Sequence, residues 1–214
     1  MSHLALLVAG HAVVGLPAWP VAPTEHGDVR GAVELLRGTS SFLGIPFASP
    51  PVGDLRWRPP LPPKPWSAAR TATSWPPMCV QDLLSLDVPA LVLGQEDCLY
   101  LNVFVPKTHR PLAALPVIVW IYGGGFTIGD GHEFGFYDGH NLAKAHDSIV
   151  VTFNYRVGVF GFMSLPQLME ESGTVGNQAM QDQRLALEWV QRNIANFGGD
   201  PHRVAISGES AVST

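Results

Sequence analysis

A run of apolar residues from Val117 to Tyr122 constrains the fold of this chain more than any other feature. The run holds no charged residue and leads directly into three consecutive glycines, Gly123 to Gly125. Its lack of alternation between apolar and polar positions is typical of a strand buried on both faces of a mostly parallel sheet. Such a strand needs helices on both sides, so the sequence predicts an α/β protein.

The elements after this run alternate between helix and strand. The sequence predicts a short helix at 141–146, a buried strand at 148–153, a long helix at 177–197 and a third strand at 204–207. The order from residue 117 is therefore β-α-β-α-β, which indicates a parallel sheet with right-handed crossovers. Residues spaced three, four or seven apart predict the buried face of the long helix: Met180, Leu187, Val190, Ile194 and Phe197.

Short strands and a proline-rich connector are predicted before the run. The strands are expected at 29–36, 41–47 and 99–105. Seven prolines lie between residues 50 and 65. Because proline cannot donate to a sheet ladder, this segment is expected to be extended surface chain, with Trp57 and Trp66 packing inward.

Composition narrows the function classes. The 214 residues suit one domain or a piece of a larger one, and only 14% are charged whereas 46% are hydrophobic, which argues against disorder. A net charge of -5 removes the electrostatic basis for nucleic-acid binding. The chain has no nucleotide-binding glycine motif and no His/Cys cluster at metal spacing, so neither a cofactor nor a metal is expected. Cys79 and Cys98 either form a bridge or are two small buried apolar residues.

Residues 1–19 have some features of a secretory signal peptide. An apolar stretch from Leu4 to Trp19 is accompanied by small residues at Ala18 and Ala22. The alternative is an ordinary surface segment, because no Lys or Arg precedes Arg30. The stretch is interrupted and short for a bilayer, so no transmembrane segment is expected. We expect a secreted protein, or one that enters the secretory pathway.

The third strand leads into a serine motif, Gly208-Glu209-Ser210-Ala211. A strand followed by Gly-x-Ser in a tight turn is the nucleophile-elbow arrangement, which presents the serine hydroxyl at the carboxyl end of the sheet. By itself Gly-x-Ser is a weak signal. The usual motif continues to a fifth glycine, whereas this chain has Val212 there.

The glycine run supplies a second candidate element. Glycines expose backbone N–H groups, and those of Gly124 and Gly125, together with the N–H of Ala211, could hold an oxyanion. The alternative is a flexible turn. Both motifs lie at the carboxyl ends of predicted strands, which is where ligands bind in open α/β sheets.

Together these motifs resemble one family. The chain is similar to the N-terminal portion of the type-B carboxylesterase/lipase family, which has the α/β-hydrolase fold. The matching blocks run in family order from about residue 20 to the end, and EDCLYLN is highly specific. They are 42–48 (FLGIPFA), 50–53 (PPVG), 55–57 (LRW), 96–103 (EDCLYLNV), 120–126 (WIYGGGF), 154–158 (NYRVG), 160–162 (FGF), 176–177 (GN), 182–184 (DQR), 197–201 (FGGDP) and 208–211 (GESA).

The resemblance implies a role for each matching residue. Ser210 would be the acyl nucleophile, with Glu209 and Phe126 close to the site. Gly124, Gly125 and Ala211 would form the oxyanion hole. The structural elements implied are a Cys79–Cys98 disulfide and two buried ion pairs, Arg56 with Glu96 and Arg156 with Asp182.

Two departures from the family limit what this chain is expected to do. In this fold the acid and the histidine of the triad follow the serine, and no histidine follows Ser210. His132 and His140 follow the glycine run, but solvated loop histidines are the expected interpretation. Residues 20–214 are therefore expected to be an incomplete hydrolase domain, truncated after the nucleophile-elbow strand and inactive alone. Val212 is expected to crowd the elbow, and 212–214 to lie outside the family's reading frame.

The implied function is hydrolysis of carboxylic esters through an acyl-enzyme. The alternatives are a non-catalytic adhesion or interaction protein of the same fold and a non-functional truncated product. The segment between Cys79 and Cys98 holds no aromatic residue that could bind a quaternary ammonium group. A small uncharged ester, either an acyl ester or a lipid, is therefore the expected substrate.

Overall fold

The computed structural model describes residues 20–83, 91–107, 114–174 and 176–212. The predicted signal peptide, residues 1–19, lies outside the described residues. The strands are β1 Val21–Ala22, β2 Val29–Arg30, β3 Ala32–Glu34, β4 Thr39–Pro46, β5 Arg70–Thr71, β6 Gln81–Asp82, β7 Val92–Leu93, β8 Tyr100–Pro106, β9 Leu115–Ile121, β10 Ile149–Phe153 and β11 Gly199–Gly208. The α-helices are α1 His140–His146, α2 Gly158–Phe162, α3 Pro166–Ser172 and α4 Gln178–Asn193. Short 3-10 turns cover Gly53–Leu55, Glu133–Gly135, Ile194–Phe197 and Ser210–Val212.

A six-stranded sheet with the order β11-β9-β10-β8-β4-β3 forms the centre of the molecule. Strands β11, β9 and β10 are parallel, whereas the pairings of β10 with β8, β8 with β4 and β4 with β3 are antiparallel. The mostly parallel arrangement predicted from the sequence therefore describes only the C-terminal strands. The reason is local, because the short turn at 35–38 can join β3 and β4 only as antiparallel neighbours.

Helices cover both faces of the sheet, as the apolar run predicted. Val150 of β10 packs with Ala143 of α1, whereas Val151, one residue further, packs in the cluster that contains Trp189 of α4. Successive strand residues point to opposite faces, so α1 and α4 lie on opposite sides. Strand β10 is buried at every position, but alternate residues of β9 are only half-buried, and one of these is Trp120.

The buried face of α4 differs from the predicted one. Val190, Ile194 and Phe197 are buried as expected, but Met180 is 38% exposed. Polar residues occupy the inner face instead, and they include Asp182. The apolar spacing failed there because Arg156 pairs with Asp182 and so allows its burial, and sequence periodicity does not reveal such a partner.

The N-terminal region adds two small sheets, β1-β2-β5 and β6-β7. The single strand expected at 29–36 is divided into β2 and β3 at Gly31. A side chain on Gly31 would lie 2.3 Å from the carbonyl oxygen of Ser41, so the chain crosses β4 too closely for any other residue.

Strand β11 forms the other end of the central sheet. Among the described residues it pairs with β9 alone. Half of its ten residues are exposed, and Ile206 retains 59% of its surface. Within the described residues β11 is therefore an open edge of the sheet, and Ile206 is an exposed apolar side chain on it.

Candidate active site

Parallel pairing brings the two predicted motifs together. In the β9–β11 register Ile121 lies opposite Gly208, so the residues two positions further, Gly123 and Ser210, leave the sheet side by side. A methyl group placed on Gly123 would lie 2.9 Å from Cβ of Ser210 and 2.8 Å from the carbonyl oxygen of Glu209. Only glycine allows this approach, which explains why the glycine run starts at this position.

Ser210 has the backbone geometry of a nucleophile elbow. Its φ is 56°, in the left-handed region that residues other than glycine rarely adopt. The N–H of Val212 donates to the carbonyl of Glu209 at 3.3 Å and closes the turn. Unusual backbone conformations of this kind cluster at functional sites.

Val212 is accommodated without the crowding that its β-branched side chain predicts. It is half-buried and packs against the main core. A methyl group placed on Gly208 would lie 3.1 Å from Cγ2 of Val212 and 2.9 Å from its carbonyl oxygen. The missing side chain of Gly208 therefore provides the space.

The glycine run folds into a tight turn that orients its peptides. The carbonyl of Gly124 accepts hydrogen bonds from the N–H of Thr127 at 3.0 Å, the N–H of Ile128 at 3.2 Å and the Thr127 hydroxyl at 3.1 Å. Because the Gly124–Gly125 peptide is planar and trans, the N–H of Gly125 points away from this turn. Gly124 and Gly125 have φ values of 99° and 60°, which other residues adopt only with strain.

Phe126 continues the turn and ties it to α2. Its carbonyl accepts the N–H of Gly158 at 2.7 Å, and its ring lies 5.2 Å from the ring of Phe162. These contacts hold the far side of the loop against the helix.

Tyr137 binds the carboxylate beside the serine, and the sequence analysis did not predict it. Its hydroxyl donates to Oε2 of Glu209 at 3.0 Å, and its ring lies 5.2 Å from that of Trp120. Burial, together with hydrogen bonds to Glu133 and Glu209, raises the pKa of Tyr137, so it remains a donor at neutral pH. No pattern in the sequence distinguishes this tyrosine; only the fold brings it to Glu209.

The ion pair between Arg156 and Asp182 is buried. Arg156 donates to the carboxylate from Nε at 2.8 Å, from Nη2 at 2.7 Å and from its backbone N–H at 3.1 Å. The two side chains are 3% and 0% exposed, so removing either partner would leave an unpaired buried charge.

The pair between Arg56 and Glu96 is also present, at 2.6 and 2.5 Å, but it is not buried as expected. The Arg56 side chain is 39% exposed. The guanidinium lies 5.6 Å from the ring of Trp57 and 6.0 Å from that of Phe160, so aromatic rings cover it in place of the core.

Cys79 and Cys98 form the disulfide that the resemblance implied. Both cysteines are buried at 1% exposure, and the bond joins residues that are 19 positions apart in the sequence. It anchors β6 and β7, which lie within that segment.

His132 and His140 pack within the fold and are not solvated as expected. The His132 ring stacks on Trp75 at 3.9 Å. His140 is 5% exposed, and its Nδ1 lies 2.7 Å from the Thr39 hydroxyl. Both rings are thus engaged in packing and hydrogen bonding elsewhere in the fold.

A cleft of about 290 Å³ opens beside the glycine turn, at Thr127. It is lined mainly by apolar groups: Val80, Gln81, Asp82, Val92, Thr127, Val157, Gly158, Val159 and Phe160. In the described part of the chain, no group of three His, Cys, Asp or Glu side chains is placed to hold a metal ion. Within the same residues, no helix has the length and apolarity needed to cross a membrane.

Comparison with known proteins gives a consistent result. The model of the carboxylesterase family matches residues 18–213. The chain is 46% identical to cocaine esterase of Oryctolagus cuniculus over 92% of its length, and 48% identical to fumonisin B1 esterase of Sphingopyxis macrogoltabida over 99%. It is also 46% identical to para-nitrobenzyl esterase of Bacillus subtilis over 89%. It spans 38%, 40% and 38% of these relatives.

Solved structures show the same likeness. A thermophilic PNB esterase matches with a TM-score of 0.79 and 47% identity, and a Geobacillus stearothermophilus carboxylesterase with 0.78 and 43%. Each match covers 89% of this chain and 38% of the other chain. The fold is therefore the predicted α/β-hydrolase fold, and the chain belongs to the carboxylesterase family.

Proposed function

We propose that this chain supplies the nucleophile and the oxyanion hole of a carboxylic ester hydrolase. The observation that carries the proposal is the position of Ser210, at a φ of 56° with its Cβ directly against Gly123. A strained serine beside exposed backbone N–H groups is suited to acyl transfer. A non-catalytic adhesion protein would need neither feature.

In the proposed reaction Oγ of Ser210 attacks the ester carbonyl carbon. The carbonyl oxygen takes up the negative charge, and the N–H groups of Gly124, Gly125 and Ala211 donate to it. The C–O bond to the alcohol then breaks, the alcohol leaves with a proton, and water hydrolyses the acyl-enzyme to the acid. Removal of one such donor lowers kcat by about 10²–10³-fold in serine hydrolases.

The reaction also needs a base for the Ser210 proton and an acid that orients the base. In this fold both follow the nucleophile along the chain, and no histidine follows Ser210 in the 214 residues. Catalysis is therefore proposed for a protein that provides these two groups together with the present residues.

The proposed substrate is a small uncharged ester, either an acyl ester or a lipid. The mainly apolar cleft at Thr127 supports an uncharged group, and the names of the relatives include esterases of several kinds. The Cys79–Cys98 disulfide supports an oxidising compartment, so we place the protein in the secretory pathway.

A chimera tests the proposal. Residues 20–212 replace the matching segment of the Bacillus subtilis para-nitrobenzyl esterase, which provides the rest of the domain. We expect the chimera to hydrolyse para-nitrobenzyl esters, and Ser210→Ala to lower kcat by about 10⁴-fold or more. Ser164→Ala, at an exposed serine, is the matched control. A folded chimera whose turnover is unchanged by Ser210→Ala would overturn the proposal.

A further inference from the structure

The loop that follows β9 is closed on itself. Ile128 donates to the carbonyl of Gly124, and a methyl group placed on Gly129 would lie 2.9 Å from the carbonyl oxygen of Gly123. The same methyl group would lie 2.5 Å from the ring of Tyr122. Gly129 thus lies directly against the first residue of the loop. Because Gly129 also directly follows Ile128, which is bonded to Gly124, a displacement of Gly129 is expected to disturb the peptides at 123–125.

Gln81 holds Gly129 from outside this loop. Its Oε1 accepts the Gly129 N–H at 2.8 Å, and its Nε2 donates to the Gly129 carbonyl at 3.0 Å. The side chain is 6% exposed, so water does not compete for these bonds. An amide that binds both backbone groups of one residue fixes its orientation, as a neighbouring strand would.

The support behind Gln81 is covalent. Gln81 lies two residues after Cys79, and its Nε2 also donates to the Cys79 carbonyl at 3.0 Å. The Cys79–Cys98 bond and the bridge between Cys79 and Gln95 hold this segment, and Gln81 itself pairs with Leu93 of β7. The disulfide is thereby linked through Gln81 to the glycine turn.

We infer that Gln81 is a positioning residue for the oxyanion hole. It fixes Gly129, and through Gly129 the N–H groups of Gly124 and Gly125, to a support that the Cys79–Cys98 disulfide anchors. The catalytic consequence rests on the proposed function, whereas the restraint on Gly129 is measurable without catalysis.

Hydrogen–deuterium exchange of the 214-residue chain tests the restraint. Gln81→Met keeps the length of the side chain and removes its three hydrogen bonds, so exchange across 123–131 is expected to accelerate about ten-fold. The matched control is Gln95→Met, at an exposed glutamine of the same disulfide segment. Equal exchange in the two variants would overturn the inference. Exchange in α4 reports whether each variant is folded.

A second variant covers the case in which Gln81→Met does not fold. Gln81→Glu keeps an acceptor for the Gly129 N–H and loses the donor to the carbonyls. Because the buried carboxylate would also face the carbonyl oxygens of Gly129 and Cys79, exchange across 123–131 is expected to accelerate at least as much as in Gln81→Met, about ten-fold or more. Wild-type exchange in Gln81→Glu would contradict a role for the donor.

Reduction of the disulfide tests the support. Dithiothreitol is expected to accelerate exchange across 123–131 in the wild-type chain and to add little in Gln81→Met, because both act through the same contact. Fully additive effects would show that the disulfide does not act through Gln81.

The chimera separates this inference from the proposed function. Gln81→Met is expected to lower kcat about ten-fold with KM unchanged, because the hole binds the transition state more strongly than the substrate. If Ser210→Ala abolishes turnover while Gln81→Met behaves like Gln95→Met, the inference is wrong and the proposed function stands. If Ser210→Ala has no effect, the proposed function fails, whatever the exchange data show.

Discussion

At the scale of single residues, the close approach of neighbouring backbone segments decides which residues can occupy positions in the site. Gly123 has no side chain because the Ser210 turn occupies the space, and Gly208 has none because Val212 occupies it. The sequence shows glycine at the ends of both predicted strands, so the need for a small residue at each of these positions could be predicted. The partners of these glycines could not be predicted, because a glycine does not indicate which atoms come close to it.

Gly123→Ala is predicted to damage the site more than the fold. The added methyl group would lie 2.9 Å from Cβ of Ser210, so the serine or the loop must shift. A shift of about 1 Å is expected to lower kcat of the chimera about 100-fold. Overpacking of this kind costs about 1–3 kcal/mol of stability, measured as urea unfolding free energy.

Gly139→Ala is the matched control for this change. Its methyl group would lie 2.5 Å from the Phe104 ring, at the start of α1, so a similar loss of stability is expected with kcat unchanged. Equal kcat values for the two variants would contradict the steric argument at Gly123.

At the scale of elements, the sequence predicted the order of strands and helices but not their polar contacts. Apolar runs identified β9 and β10, and their parallel register follows from the crossovers. The hydrogen bond from Tyr137 to Glu209 and the clamp of Gln81 on Gly129 join segments distant in sequence. Such contacts depend on tertiary geometry, which residue spacing does not encode.

His140 joins α1 to β4 and is predicted to make stability depend on pH. The Nδ1 atom of His140 lies 2.7 Å from the Thr39 hydroxyl. Burial lowers the pKa of His140, although the charge of Asp138, at 3.8 Å, acts to raise it. The nearby charge of Arg37 also lowers this pKa, and that of Glu34 raises it. Since the folded pKa lies below the unfolded value of about 6.5, the unfolded chain binds the proton more readily. The contribution of neutral His140 to the free energy of unfolding is therefore complete above about pH 6.5, and it falls as the pH decreases below that value.

The measurement is the free energy of urea unfolding between pH 5 and 8. The wild-type chain is expected to lose stability below about pH 6.5, and His140→Gln to show a flatter profile. His146→Gln, at an exposed histidine at the end of the same helix, is the control and should retain the wild-type profile. Identical pH profiles for His140→Gln and the wild type would exclude His140 as the source.

At the scale of the whole molecule, the low charge and the exposed strand β11 have one explanation. Only 14% of the residues are charged, and the structure places apolar β11 residues at the end of the sheet with β9 as their pairing partner among the described residues. The relatives are about two and a half times as long as the match, which agrees with a sheet whose neighbours lie in further sequence of those proteins.

The 214-residue chain alone is predicted to self-associate and to lack Ser210-dependent esterase activity. An exposed apolar strand edge promotes pairing between copies, so Ile206→Lys, which places a charge on β11, is expected to shift the chain toward the monomer in light scattering. Leu36→Lys is the control, because Leu36 is fully exposed in the turn between β3 and β4, outside both strands and far along the sheet from β11. The monomeric variant should still hydrolyse para-nitrophenyl esters at the same low rate as its Ser210→Ala form, because in this fold the histidine that activates the serine follows it along the chain, and no histidine follows Ser210 in the 214 residues. If Ile206→Lys leaves the association unchanged, β11 is not the contact between copies. If the chain alone shows clear Ser210-dependent turnover, a group within these residues already serves as the base.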